Sequence, residues 1–277
     1  MPQNKLRGSA VPFPYTDNMS ALPDPPPTLS PPIVSTRGNR RTLEFTPGEI
    51  QSEMRLSQPS ALVLSYARAM MCFALLAPRP RHILMVGLGG GSLLKFCHRH
   101  FPKARITVLE VRADVIALRE QFGVPPDDRR LRVLHCDAAH WLSRSSDNEV
   151  RCDVLMVDGF DAAGLPPALS SASFYAHCRR ALRPGGVLVA NVLSYDPDYV
   201  AVVQRLRAAF DGHVCWLSGI AGNNRILQAQ APAHAGAAPG GALRFLRDTL
   251  GNRGLGAAAL NRLLARLVVA WLERRRH

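Results

Sequence analysis

Residues 82–110, "HILMVGLGGGSLLKFCHRHFPKARITVLE", pass from an apolar run through a glycine cluster into helical spacing, then back to an apolar run. The first run has the length of a buried strand, and Leu93, Leu94, Phe96 and Cys97 follow the 3.6-residue period of a helix. Gly87, Gly89, Gly90 and Gly91 stand between the two. Glycines at a strand–helix turn let the backbone come close to a ligand, and the helix start offers unpaired N–H groups. Dinucleotide sites and S-adenosyl sites both use such a loop, and a tight turn alone can also account for it.

The alternation continues on both sides. Downstream, "ADVIALREQFG" (113–123) predicts a helix, "LRVLHCD" (131–137) a strand and "AAHWLSR" (138–144) a short helix. "CDVLMVD" (152–158), "SSASFYAHCRRAL" (170–182) and "GGVLVANVL" (185–193) repeat strand, helix, strand. A helix over "PDYVAVVQRLRAAF" (197–210) and two strands, "HVCWLSG" (213–219) and "RILQAQ" (225–230), complete the pattern. Apolar strands alternating with helices predict an α/β protein, a mostly parallel seven-stranded sheet with helices on both faces.

Upstream, "RRTLEFTPGEIQSEMRLSQPS" (40–60) predicts a short strand pair turning at Pro47-Gly48, and "ALVLSYARAMMCFALLA" (61–77) a helix that stops before Pro78. The chain thus divides into four parts. Residues 1–36, with nine prolines, form a disordered leader. Residues 37–78 are expected to be an N-terminal strand pair and helix. Residues 79–232 are expected to form the α/β domain, and 233–277 a linker and a basic amphipathic helix.

The 277-residue chain carries a formal net charge of +13, with lysine only at positions 5, 95 and 103. From Arg244 onward there are eight arginines against Asp248 and Glu273, so much of the basic excess is in the tail. Six scattered cysteines without a C-x-x-C pair suit a reducing cytoplasm and argue against a zinc site, so no metal is expected. No stretch is long and apolar enough to span a bilayer.

Acids stand at three successive strand ends. Glu110 closes the second strand, Asp137 the third and Asp158 the fourth, with Asp161 three residues beyond Asp158. At the carboxyl ends of a parallel sheet they share one crevice with the glycine loop. An acid after the second strand can accept both ribose hydroxyls of a nucleoside, whereas Asp137 can equally cap the following helix. "LRPGG" (182–186) is a turn common in S-adenosylmethionine-dependent transferases, and the absence of lysine beyond Lys103 excludes the Y-x-x-x-K pair of short-chain dehydrogenases.

Together "ILMVGLGGGSLLKF", "ITVLEV", "LHCDAAHWL", "CDVLMVDGFDAAGLPPALSSASFYAHCRRAL" and "RPGGVLVANVL" resemble the spermidine synthase (polyamine aminopropyltransferase) family over roughly residues 40–230. The most specific piece is "DGFDAAGLP" (158–166), similar to the family's D-[ST]-[ST]-D-P-x-G-P loop. The resemblance implies a Rossmann-like, S-adenosylmethionine-dependent methyltransferase-type fold. It makes Asp158 the catalytic base and Asp161 a ligand of the substrate amine. Glu110 is then the ribose acid, Asp137 and Ala138 lie on the adenine side, and Gly87, Gly89 and Gly91 form the donor loop. "IQSEM" and "LSYARAM" are similar to family segments that would put Gln51 and Tyr66 in the pocket. The implied donor is S-adenosylmethionine or its decarboxylated form, the acceptor a small amine, and the assembly a homodimer. Three departures stand out: Gly90 occupies the place of the family's loop aspartate, Gly159 and Phe160 replace small hydroxylic residues, and the histidine that the family has after the segment similar to "LSYARAM" is missing.

A methyltransferase on the same scaffold is the first alternative, since losing the loop aspartate removes repulsion against the carboxylate of intact S-adenosylmethionine. A catalytically idle nucleoside-binding protein is the second. In the tail, Leu260, Leu263, Leu264, Leu267, Val268 and Trp271 are expected to share one face that packs on the domain or a twin subunit. Attachment of the arginines to nucleic acid or membrane is the competing reading.

Overall fold

The computed structural model describes residues 30–144, 151–161, 164–234, 236, 238, 240–246 and 256–275. The leader up to residue 29 and most of the expected linker after residue 234 lie outside the described residues.

The main sheet has seven strands: β4 (His82–Val86), β5 (Arg105–Glu110), β6 (Leu131–His135), β7 (Cys152–Val157), β8 (Leu182–Leu193), β9 (Val214–Ala221) and β10 (Asn224–Gln230). Their order is β6-β5-β4-β7-β8-β10-β9. The pairs from β6 across to β8 are parallel, and β10 runs antiparallel to both of its neighbours. The chain therefore moves outward from β4 through β5 to β6 and returns on the other side of β4 as β7. The order reverses between β4 and β7, and a crevice opens there above the carboxyl ends.

One face of the sheet packs against α1 (Ser65–Met70), the 3₁₀ turn Met71–Leu75, α2 (Ser92–His100) and α8 (Gly256–Arg274). The other face packs against α4 (Ala138–Arg144), α5 (Ala172–Ala181) and α6 (Tyr199–Ala209). With both faces covered, β4 and β7 are almost wholly buried, which is why neither shows a polar alternation.

Four expectations need correction. The proline-rich leader ends earlier than expected: Ile33–Arg37 is a strand, β1, paired antiparallel with β2 (Arg40–Glu44), which pairs in turn with β3 (Ile50–Arg55). Its ladder extends β2, and such long-range pairing leaves no mark in local composition. The helix expected to reach Gly123 stops early, as α3 (Ala113–Ala117). Beyond it the backbone turns inward, so that Phe122 and Val124 are buried beside the glycine loop. In the tail, α8 does pack on the body, against β9, α1 and the 3₁₀ turn. It uses a different face, burying Asn261, Ala265, Val268, Val269 and Leu272. A further short helix, α7 (Gly241–Phe245), lies within the expected linker, with Leu243 and Leu246 buried.

Candidate active site

The glycine loop is pressed from two sides. Gly87 has φ +93°, and a Cβ there would fall 2.4 Å from the backbone oxygen of Asp158. The turn after β4 and the turn after β7 thus touch backbone to backbone, an approach that only glycine permits. At Gly90 the limit is space: a Cβ would lie 2.6 Å from Ser52 Oγ and 2.8 Å from a Phe122 ring carbon. Phe122 is held in place by Lys95, whose Nζ donates to the Phe122 carbonyl at 2.6 Å. Burial pushes that ammonium down to about 8. Strand β3 thereby becomes the outer wall of the loop, with Ser52 Oγ 3.4 Å from Ser92 Oγ.

Asp158 follows β7 and is half-buried there. Burial raises its pKa above the ordinary carboxylate value, opposed by hydrogen bonds from Asn191 and Tyr66. The Asn191 amide donates to Asp158 Oδ1 at 3.0 Å. The Tyr66 hydroxyl, on α1, interacts with Asp158 and also reaches the backbone oxygen of Gln51 at 3.3 Å. Two sequence candidates from outside the sheet, Tyr66 and Gln51, are thus brought to the mouth of β7. Asp161 is half-buried in a tight turn, its N–H donating to the Gly164 carbonyl at 3.0 Å.

Glu110, only 6 % exposed, accepts from Leu88 N–H at 2.7 Å through one oxygen and from Arg112 N–H at 2.8 Å through the other. Its pKa is raised by burial and held back by those donors. It therefore fixes the glycine loop, a role the sequence did not suggest. A carboxylate has about four lone-pair sites, so Glu110 keeps acceptor capacity beyond its backbone donors. Asp137 caps α4, accepting from His140 N–H at 2.6 Å, and Ala138 beside it is buried. The capping alternative for Asp137 is thus realised.

Four residues of this neighbourhood escaped the sequence reading: Ser52, Phe122, Asn191 and Asn224. Of these only Asn191 left a signal, as the one amide inside the apolar run "VLVANVL".

A doubly wound α/β sheet with a glycine loop and acids at neighbouring strand ends defines a Rossmann-like protein of the methyltransferase type. Within that class the spermine/spermidine synthase domain matches residues 63–209. A curated relative from Chromobacterium violaceum, named polyamine aminopropyltransferase, is 36% identical over 203 residues, covering 72% of this chain and 77% of its own. The chain belongs to the spermine/spermidine synthase family. A solved structure titled as a probable spermidine synthase from Corynebacterium glutamicum shares the fold, with TM-score 0.64, 20% identity and 84% and 90% of the two chains covered. A Bos taurus protein named eEF1A lysine and N-terminal methyltransferase is 35% identical over 146 residues, covering 49% of this chain and 21% of its own.

Proposed function

We propose that this chain moves an aminopropyl group from decarboxylated S-adenosylmethionine to a small polyamine, with Asp158 as the proton acceptor. The observation that carries the reading is Asp158 at the mouth of β7, its backbone against the glycine loop and its carboxyl hydrogen-bonded by Asn191 and Tyr66. The relatives named for aminopropyl transfer support the choice of group.

On this reading the crevice at the carboxyl ends of β4 and β5 takes the donor's nucleoside. Glu110 offers acceptor sites at the end of β5, and Gly87 and Gly91 let the loop pack closely against Asp158 and Val124 beside it. Alkyl transfer needs the amine lone pair to form a C–N bond while the C–S bond breaks and its electrons return to sulfur. The acceptor amine has a pKa near that of lysine, about 10, and arrives as an ammonium. Asp158 attracts that cation and takes its proton, and its raised pKa makes it a stronger base than an exposed carboxylate. Asp161 holds the acceptor beside it. Alignment of amine and donor supplies the larger share, up to about 7–11 kcal/mol. The six cysteines, all buried, are in keeping with a cytoplasmic enzyme.

Replacing Asp158 by Asn should leave donor binding within about twofold and lower kcat at least about 100-fold, because an amide cannot accept the proton. An Asp158→Asn enzyme that kept most of its kcat would overturn the assignment.

The wall at Gly90 favours a second reading, transfer of a methyl group from intact S-adenosylmethionine. With Ser52 and Phe122 filling the space, no acid can stand there to hold a donor ammonium. Calorimetric titration of the protein with each donor separates the two readings. At least tenfold tighter binding of the decarboxylated form, about 1.4 kcal/mol, supports aminopropyl transfer, and the reverse order supports methyl transfer.

A further inference from the structure

Behind Asp158 lies a chain of two amides. Asn191, near the end of β8, is 3 % exposed and donates to Asp158 Oδ1. Asn224, the first residue of β10, donates through Nδ2 to Asn191 Oδ1 at 2.9 Å. In the antiparallel ladder Ile226 stands opposite Asn191 and Asn224 opposite Leu193. Asn224 is therefore the diagonal neighbour of Asn191 on the same sheet face, within side-chain reach.

The direction of this chain follows from chemistry. An ionised carboxylate can only accept, so Asn191 must turn its NH₂ toward Asp158. That leaves Asn191 Oδ1 facing the other way, where it needs a donor. An asparagine amide has two broad torsional minima that exchange its oxygen and nitrogen. In the wrong one, Asn191 would aim a partial negative charge at Asp158. Asn224 supplies the N–H that selects the right one.

We propose that Asn224 is a positioning residue for the reaction: its N–H holds the Asn191 amide with NH₂ toward Asp158, and so holds the carboxylate in place for the amine. This rests on the reading of Asp158 as proton acceptor. Among the described residues, the side chains that hydrogen-bond to Asp158 are those of Tyr66 from α1 and Asn191 from β8, while Gly87 of the loop meets its backbone. Tyr66 is itself pushed well above its ordinary value, first by burial and then by Asp158, so it stays a neutral donor. Asn191 is thus the partner of Asp158 whose orientation a neighbouring side chain can reverse.

The test uses the full chain with Asn224→Asp and Asn224→Ala, alone and in an Asn191→Ala background. Aspartate is nearly isosteric with asparagine but cannot donate. It would draw the Asn191 NH₂ to itself and turn Oδ1 on Asp158. Alanine merely removes the donor. We expect Asn224→Asp to lower kcat about tenfold with either donor and 1,4-diaminobutane, and Asn224→Ala to lower it less, donor KM unchanged. A ¹³C NMR titration of the Asp158 carboxyl should show the same order, its midpoint rising by at least about half a unit in Asn224→Asp. In the Asn191→Ala background both differences should vanish, whereas a through-space charge effect would persist.

Alanine at least as damaging as aspartate would mean that Asn224 only fills space, and additivity in the Asn191→Ala background would mean that the relay does not exist. Either result overturns the proposal. The NMR titration decides even if neither donor turns over. Failure of the Asp158 reading is seen separately, as kcat retained in Asp158→Asn.

Discussion

Asp158 combines two demands that oppose each other. Its enclosure disfavours the charged form, and Asn191 and Tyr66 restore part of what enclosure removes. The net shift is upward from the ordinary 3.8. The folded chain therefore binds this proton more tightly than the unfolded chain does. Its contribution to stability is full below the unfolded pKa and is lost as the pH rises through the folded value. At neutral pH the ionised carboxylate is a cost to the fold, which the proposed role as proton acceptor would explain. An Asp158→Asn protein should accordingly melt higher than the parent at pH 7. The gap should close as the pH falls and the parent's carboxyl takes up its proton. Calorimetric scans from about pH 4 to pH 8 would show this; a variant less stable throughout would mean that the carboxylate stabilises the fold.

Among elements, the contact between β3 and the glycine loop bounds the space at Gly90. Ser52 comes from β3, Phe122 from the turn after α3, and Lys95 on α2 ties that turn down through its carbonyl. Gly90→Ala would drive a methyl group into Ser52 Oγ and the Phe122 ring, both on buried residues. Overpacking of this kind costs about 1–3 kcal/mol. Urea denaturation should show that loss, and combining it with Phe122→Leu should give less than the sum of the two, since the leucine leaves room. Purely additive losses would mean that the ring does not bound this space.

The same elements show what the sequence made legible. The β4 strand, its loop and α2 are local in sequence and keep their own periodicity, so their extents were readable to within a residue or two. Glu110 and Asp158 could be placed because a parallel sheet puts every strand end on one edge. The wall at Gly90 could not be read, because β3, the loop and Phe122 meet only in the fold. Nor could the amide pair, whose members lie 33 residues apart on strands where a buried asparagine looks like an interruption. β1 went unread because its pairing partner, rather than its own composition, makes it a strand.

At the scale of the whole molecule, α8 links the tail to the catalytic sheet. Val268 and Leu272 are buried in the same core as β9 and α1, so the helix is part of the domain. Its arginines partly serve that packing: Arg262 donates to the Gly219 carbonyl at 2.9 Å and Arg275 to that of Pro78 at 2.8 Å. Groups bound to the body in this way are poorly placed to grip an anionic surface. The apolar stripe of Leu260, Leu263, Leu267 and Trp271 instead faces outward, 43–58 % exposed. The helix is apolar on two faces, and for that reason its period alone did not reveal which one is buried. A second copy of the chain would present the same stripe, as a two-fold dimer requires. Truncation before Gly241 should lower the melting temperature by several degrees or prevent folding, since it uncovers the core. Leu263→Glu with Leu267→Glu touches only the outer stripe. In a homodimer built on it, the double variant should sediment as a monomer, with a melting temperature that no longer rises with protein concentration. If the parent sediments as a monomer, or the double variant remains a dimer, the stripe is not the homodimer contact.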